Sequence, residues 1–161
     1  YKRQIYVWRG IPGQSSDPDH VIKMTPNIRR VSSDGEHLAV ACNLCQAVYI
    51  FSIDGIPANE PPVVLQDMPG LHFNLPEGVF VDGEHLFVAD TVSSRVLIWN
   101  EIPQESNVLP DIVLGEDDFE DRYPEQSVDR LFWPGTVCFD GSYLWVGEFK
   151  FSNRLVRFSV K

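Results

Sequence analysis

The stretches Ser33-Asp-Gly-Glu-His-Leu-Ala-Val-Ala-Cys42 and Val81-Asp-Gly-Glu-His-Leu-Phe-Val-Ala-Asp90 share Asp-Gly-Glu-His-Leu letter for letter, 48 positions apart. A carboxylate beside an imidazole is the composition of an acid/base pair, so the repeat reads either as a duplicated site or as a duplicated turn. The surrounding register favours the turn. Laid without a gap, Val31–Phe51 matches Val79–Trp99 at ten of 21 positions. A third copy, Val137-Cys-Phe-Asp-Gly-Ser-Tyr-Leu-Trp-Val-Gly-Glu148, keeps Asp140-Gly141 but has Ser142-Tyr143 where the others have Glu-His. Asp-Gly is a hairpin signal, because Gly tolerates positive φ and Asp bonds its own backbone. Neighbouring strand residues also face opposite ways, which separates Glu36 from His37 and Glu84 from His85.

Working outward, each copy is followed by a second recurring piece: Val48-Tyr-Ile-Phe-Ser-Ile, Val96-Leu-Ile-Trp-Asn and Arg154-Leu-Val-Arg-Phe, with Ile5-Tyr-Val-Trp at the start of the chain. A further piece follows three of these, at Pro18–Lys23, Pro61–Gln66 and Pro110–Gly115. All are short, rich in Val, Ile and aromatic residues, and bounded by Gly, Pro, Asp or Asn, which are strand signals. No stretch sustains the i, i+3, i+4, i+7 pattern of a helix. The unit is therefore four short strands, a-b-c-d. The chain reads c-d, a-b-c-d, a-b-c-d, a-b-c, thirteen strands in all, with repeats near 28–74 and 75–132.

The strands are apolar on both faces. In His85-Leu-Phe-Val-Ala89, Leu86 and Val88 point one way, and Phe87 and Ala89 the other. A four-stranded sheet covered on both sides and repeated in sequence is expected to be the blade of a β-propeller, all-β and antiparallel. The wording Leu75-Pro-Glu-Gly-Val-Phe-Val-Asp-Gly83, Leu86-Phe-Val-Ala-Asp90, Ser94-Arg-Val-Leu-Ile-Trp-Asn100 and Asp111-Ile-Val-Leu-Gly115 resembles the NHL-repeat family. That resemblance covers most of the chain. It implies a ring of roughly six blades and a binding or scaffold role toward a protein or small ligand. It also brings the alternative of a metal-dependent lactonase-like or lyase-like enzyme. A fold transfers no function by itself.

Three blades leave two apolar faces open, which is a liability in water. Two readings close the ring: upstream blades, or a homodimer in which residues 1–27 of one copy and 133–161 of the other form a composite blade. The second leaves one c strand in surplus.

The net charge of −10 and pI near 4.7 run against nucleic acid, whose binding needs a basic footprint, and against anionic membrane surfaces. No apolar run approaches the length of a membrane span.

Four groups of residues are candidates for something more specific. Asp90 with Arg95, and Glu148 with Arg154, flank the b–c turn in two copies. Both positions change together in the first copy, to Cys42 and Ala47, which reads as a turn-bracing ion pair. The other reading of Asp90 and Glu148 is oxygen ligation, with Ca²⁺ or Zn²⁺ as the ions considered. Cys42-Asn-Leu-Cys45 has metal or redox spacing but no second pair, so inert free thiols are expected. The acidic run Glu116, Asp117, Asp118, Phe119, Glu120, Asp121 lies in a long connection. With Tyr123, Phe132 and Trp133 it is the candidate partner contact, since aromatic side chains carry much interface energy. No local nucleophile or zinc-protease motif is present.

Overall fold

At the first Asp-Gly, Asp34 Oδ1 accepts the backbone N–H of Glu36 and of His37 at 2.8 and 2.7 Å, and Oδ2 lies 3.0 Å from His37 Nδ1. Asp82 repeats this with Glu84 and His85 at 2.9, 2.6 and 3.0 Å. Asp140 holds Ser142 and Tyr143 at 2.9 and 2.8 Å and takes the Trp145 indole N–H at 2.8 Å. Gly35, Gly83 and Gly141 follow at φ of 103°, 98° and 91°, where a Cβ is disfavoured. The Glu-His pair is thus part of a hairpin, and its histidine is a partner of the turn aspartate.

The computed structural model describes residues 4–11, 13, 16–24, 27–120, 127 and 130–159, and among these it is all-β. The strands β1 (Gln4–Val7) and β2 (His20–Lys23) form an antiparallel ribbon. The first four-stranded sheet is β3 (Ile28–Ser33), β4 (His37–Cys42), β5 (Ala47–Ser52) and β6 (Val63–Gln66), in that spatial order. The second is β7 (Pro76–Val81), β8 (Leu86–Asp90), β9 (Arg95–Trp99) and β10 (Ile112–Leu114). A three-stranded sheet of β11 (Pro134–Phe139), β12 (Tyr143–Glu148) and β13 (Leu155–Ser159) follows. All pairings are antiparallel meanders, so the thirteen-strand inventory recurs as sheets of two, four, four and three. Within this one chain the β1–β2 ribbon and the β11–β13 sheet are separate sheets.

The repeat extends to the backbone. The a strand enters with a register shift in each sheet, between Ile28/Arg30, Pro76/Gly78 and Pro134/Thr136. The residue before it is left-handed each time: Asn27, Leu75 and Trp133 at φ 77°, 58° and 48°. The residue before Ala47, Arg95 and Arg154, at the entry to the c strand, is too: Gln46, Ser94 and Asn153 with φ of 52°, 54° and 52°. Such values are uncommon outside Gly and are costly for a bulky side chain such as Trp133. Their recurrence at equivalent positions makes them a property of the unit.

Strand alternation sorts the apolar residues into separate cores. Leu86 and Val88 pack with Ala39, Ala41, Val48 and Leu65 of the first sheet. Phe87 and Ala89 pack with Val137, Leu144 and Val146 of the three-stranded sheet. Val40 and Phe51, on the other face of the first sheet, meet Ile5 and Ile22 of the ribbon. The order is therefore ribbon, first sheet, second sheet, three-stranded sheet, stacked face on face. All five residues of β8 are buried. So are all five of β9; full burial of one Leu or Val contributes about 1.5–3 kcal/mol, which makes these two strands the centre of the fold.

The a strands lie side by side. Val81 N–H donates to Ser32 Oγ at 3.2 Å, and Arg29 Nη2 meets Glu77 Oε1 at 3.1 Å. A Cβ on Gly78 would stand 3.0 Å from Gly135 O and 2.9 Å from Ala89 Cβ, so this glycine lets β7 approach β11.

Candidate functional site

The b–c turns gather the candidate residues at one end of the sheets. In the second sheet Asp90 Oδ2 meets Arg95 Nε at 3.0 Å and Nη2 at 2.9 Å, with both side chains fully buried. Oδ1 accepts Asn74 N–H at 2.6 Å. Arg95 also donates to His72 O at 2.6 Å and to Phe119 O. One guanidinium thereby ties the turn to the connections before β7 and after β10. Full burial pushes the Asp90 carboxyl above its ordinary value, against the Arg95 charge and the Asn74 donor that favour the carboxylate.

The three-stranded sheet repeats the design nearer the surface. Arg154 Nε and Nη2 reach the two oxygens of Glu148 at 2.7 and 2.8 Å, a bidentate pair. Phe132 N–H donates to Glu148 Oε1 at 2.8 Å, as Asn74 does to Asp90. Arg154 Nη2 donates to Arg130 O at 3.0 Å, the position equivalent to His72 O, and Nη1 to Ser127 O at 2.8 Å. Partial burial raises Glu148. The Arg154, Ser152 and Phe132 donors outweigh it and hold the carboxyl below its ordinary value of 4.5, while Arg154 is raised in turn.

The first sheet has neither charge. Cys42 is bonded to Cys45 as a disulfide, which corrects the expectation of free thiols. A strand end and tight turn bring the two Cα atoms to 5.3 Å, within the range a bridge requires. Cys138 is the free cysteine among the described residues. Pro26, aligned in sequence with Asn74 and Phe132, has no N–H to donate. The first copy has therefore lost acid, arginine and backbone donor together.

The acidic connection is internally engaged. Arg130 meets Glu116 Oε2 at 2.7 Å and Asp117 Oδ2 at 2.5 Å, and Asp118 Oδ1 accepts Glu120 N–H at 2.8 Å. Glu116 is buried, so as a partner contact it is replaced by Asp117, whose side chain is exposed. Asp121 and Tyr123 lie outside the described residues.

Two residues beyond Arg130 stands an aromatic shelf. Phe132 and Trp133 stack at 5.7 Å and 23°. Phe151 sets its edge against both, at 6.3 and 6.0 Å, and is itself 76% exposed. Lys150 Nζ lies 4.6 Å from the Trp133 ring centre and 5.2 Å from that of Phe149. Phe149, Lys150 and Phe151 were not singled out from sequence. Their signal is the spacing: Glu148 to Arg154 is one residue longer than Asp90 to Arg95, and this turn carries two phenylalanines where the other turns carry no aromatic residue.

Among the described residues, no three His, Cys, Asp or Glu side chains converge as a metal site. The chain matches no family model and no curated protein.

Proposed function

We propose that the sheets are successive blades of an NHL-like β-propeller, and that the chain is a non-enzymatic binding module whose contact surface is the b–c turn face of the last sheet. The blade reading is supported by the face-on-face stack, the adjacent a strands, and the recurrence of bulge, left-handed residues and turn in three sheets. The functional reading is carried by one observation. The turn with an extra residue presents an exposed Phe151 against the stacked Phe132–Trp133 pair, which begins two residues after the Arg130 that pairs with the exposed Asp117. Aromatic anchors rimmed by charge are the composition of a protein-contact patch. The overall acidity makes a basic polypeptide the complementary partner.

The test is selection of peptide ligands on the folded chain, followed by titration against Phe151→Ala. Peptides rich in Lys or Arg that lose at least about tenfold in affinity on the variant meet the proposal. Unchanged affinity places the contact elsewhere. Stoichiometric metal together with lactone hydrolysis moves the reading to the enzymatic alternative.

The ring itself is completed by strands from outside this chain, and a second copy is the proposed source. β1 presents an open edge over an apolar trough lined by Val31, Leu38, Ile53 and Ile56. Light scattering during size exclusion reads the outcome: a species of twice 18.3 kDa is expected, and a monodisperse monomer overturns the dimeric ring.

A further inference from the structure

We propose that Cys42–Cys45 is a thiol–disulfide exchange site, opened by a dithiol at the Cys45 sulfur, that sets the stiffness of the seam between the two four-stranded sheets. Three observations carry this. First, the two cysteines are unequal: Cys42 is fully buried, while Cys45 is only partly buried in the turn. Second, Cys45 lines a shallow cleft with Leu44, Gln46, Gln66 and Asp67, and Leu44 beside it is 65% exposed. An incoming thiol has both a route to one sulfur and an apolar rim to rest on. Third, the bridge stands where the other two sheets have an acid–arginine brace.

The step balances as an exchange. A thiolate of the dithiol attacks Cys45 Sγ, the bond to Cys42 breaks, and the electron pair leaves on Cys42 Sγ, which takes a proton. The second thiol of the same molecule then attacks its own sulfur in the mixed disulfide, closes the reductant's ring and releases Cys45. Two electrons and two protons pass to the pair, and the dithiol is oxidised.

The consequence follows from what the turn touches. Asn43 N–H donates to Asn27 O at 3.3 Å, and its side-chain amide reaches Glu77 Oε1 at 3.4 Å. Glu77 belongs to β7 and is the partner of Arg29 on β3. Opening the bridge loosens the turn that carries Asn43 to the seam.

Thiol trapping on the wild-type chain tests both halves. Without reductant, one cysteine, Cys138, is alkylated; dithiothreitol under native conditions raises this to three. With limiting dithiothreitol, Cys45 is alkylated about tenfold ahead of Cys42, because exposure controls attack. Hydrogen exchange then reads the seam: the Val81 amide, bonded to Ser32 Oγ across it at 3.2 Å, loses protection on reduction. The Ser94 amide, bonded to Thr91 O at 3.0 Å in the second sheet, does not. Three thiols labelled at once, a bridge that yields only in denaturant, or equal trapping of both sulfurs overturns the exchange site. Unchanged Val81 protection overturns the coupling to the seam.

Discussion

The turns at 90–95 and 42–47 occupy the same place in two neighbouring sheets and are held by opposite means. One uses a charge pair sealed from water, whose guanidinium also binds two distant carbonyls. The other uses a covalent bond that reaches no farther than its own turn. The difference teaches what the ion pair is for. A two-residue clamp is enough to close a turn, so Arg95 earns its burial by stitching three segments together. The turn at 148–154 lies between them, with the same donors but an arginine side chain 34% exposed. The acids shift in opposite directions: burial prevails on Asp90 and raises it, whereas the Arg154, Ser152 and Phe132 donors prevail on Glu148 and lower it.

The largest effect is expected where the stitch is cut. Arg95→Met leaves the buried Asp90 carboxylate without its counter-charge and two carbonyls without their donor, and stability falls by about 3–5 kcal/mol in urea unfolding. Asp90→Leu with Arg95→Met recovers a good part of that, because the penalty lies in the orphaned charge. A double variant no more stable than the single shows instead that the carbonyl stitches dominate.

Removing the bridge is expected to weigh less. Cys42→Ala with Cys45→Ala loses about 2 kcal/mol, the loop-closure term for so short a loop. Transplanting the charge pair as Cys42→Asp with Ala47→Arg does not restore the oxidised stability, since Pro26 supplies no N–H to the new carboxylate. A full recovery makes the two devices interchangeable and removes the distinction drawn above. Arg154→Met follows, at about 1–2 kcal/mol, since solvent screens what Arg95 has sealed.

Acid titration separates the two carboxylates by slope. Glu148 is held low in the fold, so its contribution is complete above its ordinary value of 4.5 and is lost as pH falls through the lower folded value. Asp90 is pushed up, so the folded state takes its proton before the unfolded state does, and acidification relieves a penalty. Glu148→Gln therefore flattens the loss of stability below pH 4.5, and Asp90→Asn steepens it. Parallel slopes in the two variants contradict the opposite shifts. Asp34 and Asp82 add to the acid loss. Burial is their largest single influence and raises them, yet the backbone donors of His37 and Glu36, and of His85 and Glu84, prevail and hold both low.

Much of this frame was legible in the residues. The Asp-Gly pairs announced three hairpins, because the chemistry of that turn is local. The thirteen strands followed from β-branched runs between breakers. The Asp90–Arg95 and Glu148–Arg154 pairs were visible as a covariation inside one chain. Three things were not visible, each for a physical reason. The Cys42–Cys45 bridge depends on a Cα separation that the same spacing does not guarantee. The left-handed Leu75 and Trp133 carry side chains that ordinarily avoid that region, so nothing in their identity signals it. Arg130 meets Glu116 and Asp117 across a connection of more than ten residues, and only the folded path of that connection makes them neighbours.

The smallest stability effect bears on whether the last turn is a brace or a contact. Phe151→Ala is expected to change unfolding free energy by no more than about 0.5 kcal/mol, since a mostly exposed side chain loses little on truncation. Its ring nevertheless edges onto both Phe132 and Trp133. If the shelf were there to hold the left-handed Trp133 in place, removing Phe151 would cost several times that amount. The two roles predict opposite pairings of effects. A contact loses ligand and keeps stability, whereas a brace loses stability, and with it the equivalence between this turn and the buried one at 90–95. Measuring unfolding and peptide affinity on the same variant therefore decides whether the extra residue in the third turn was added to the fold or to its surface.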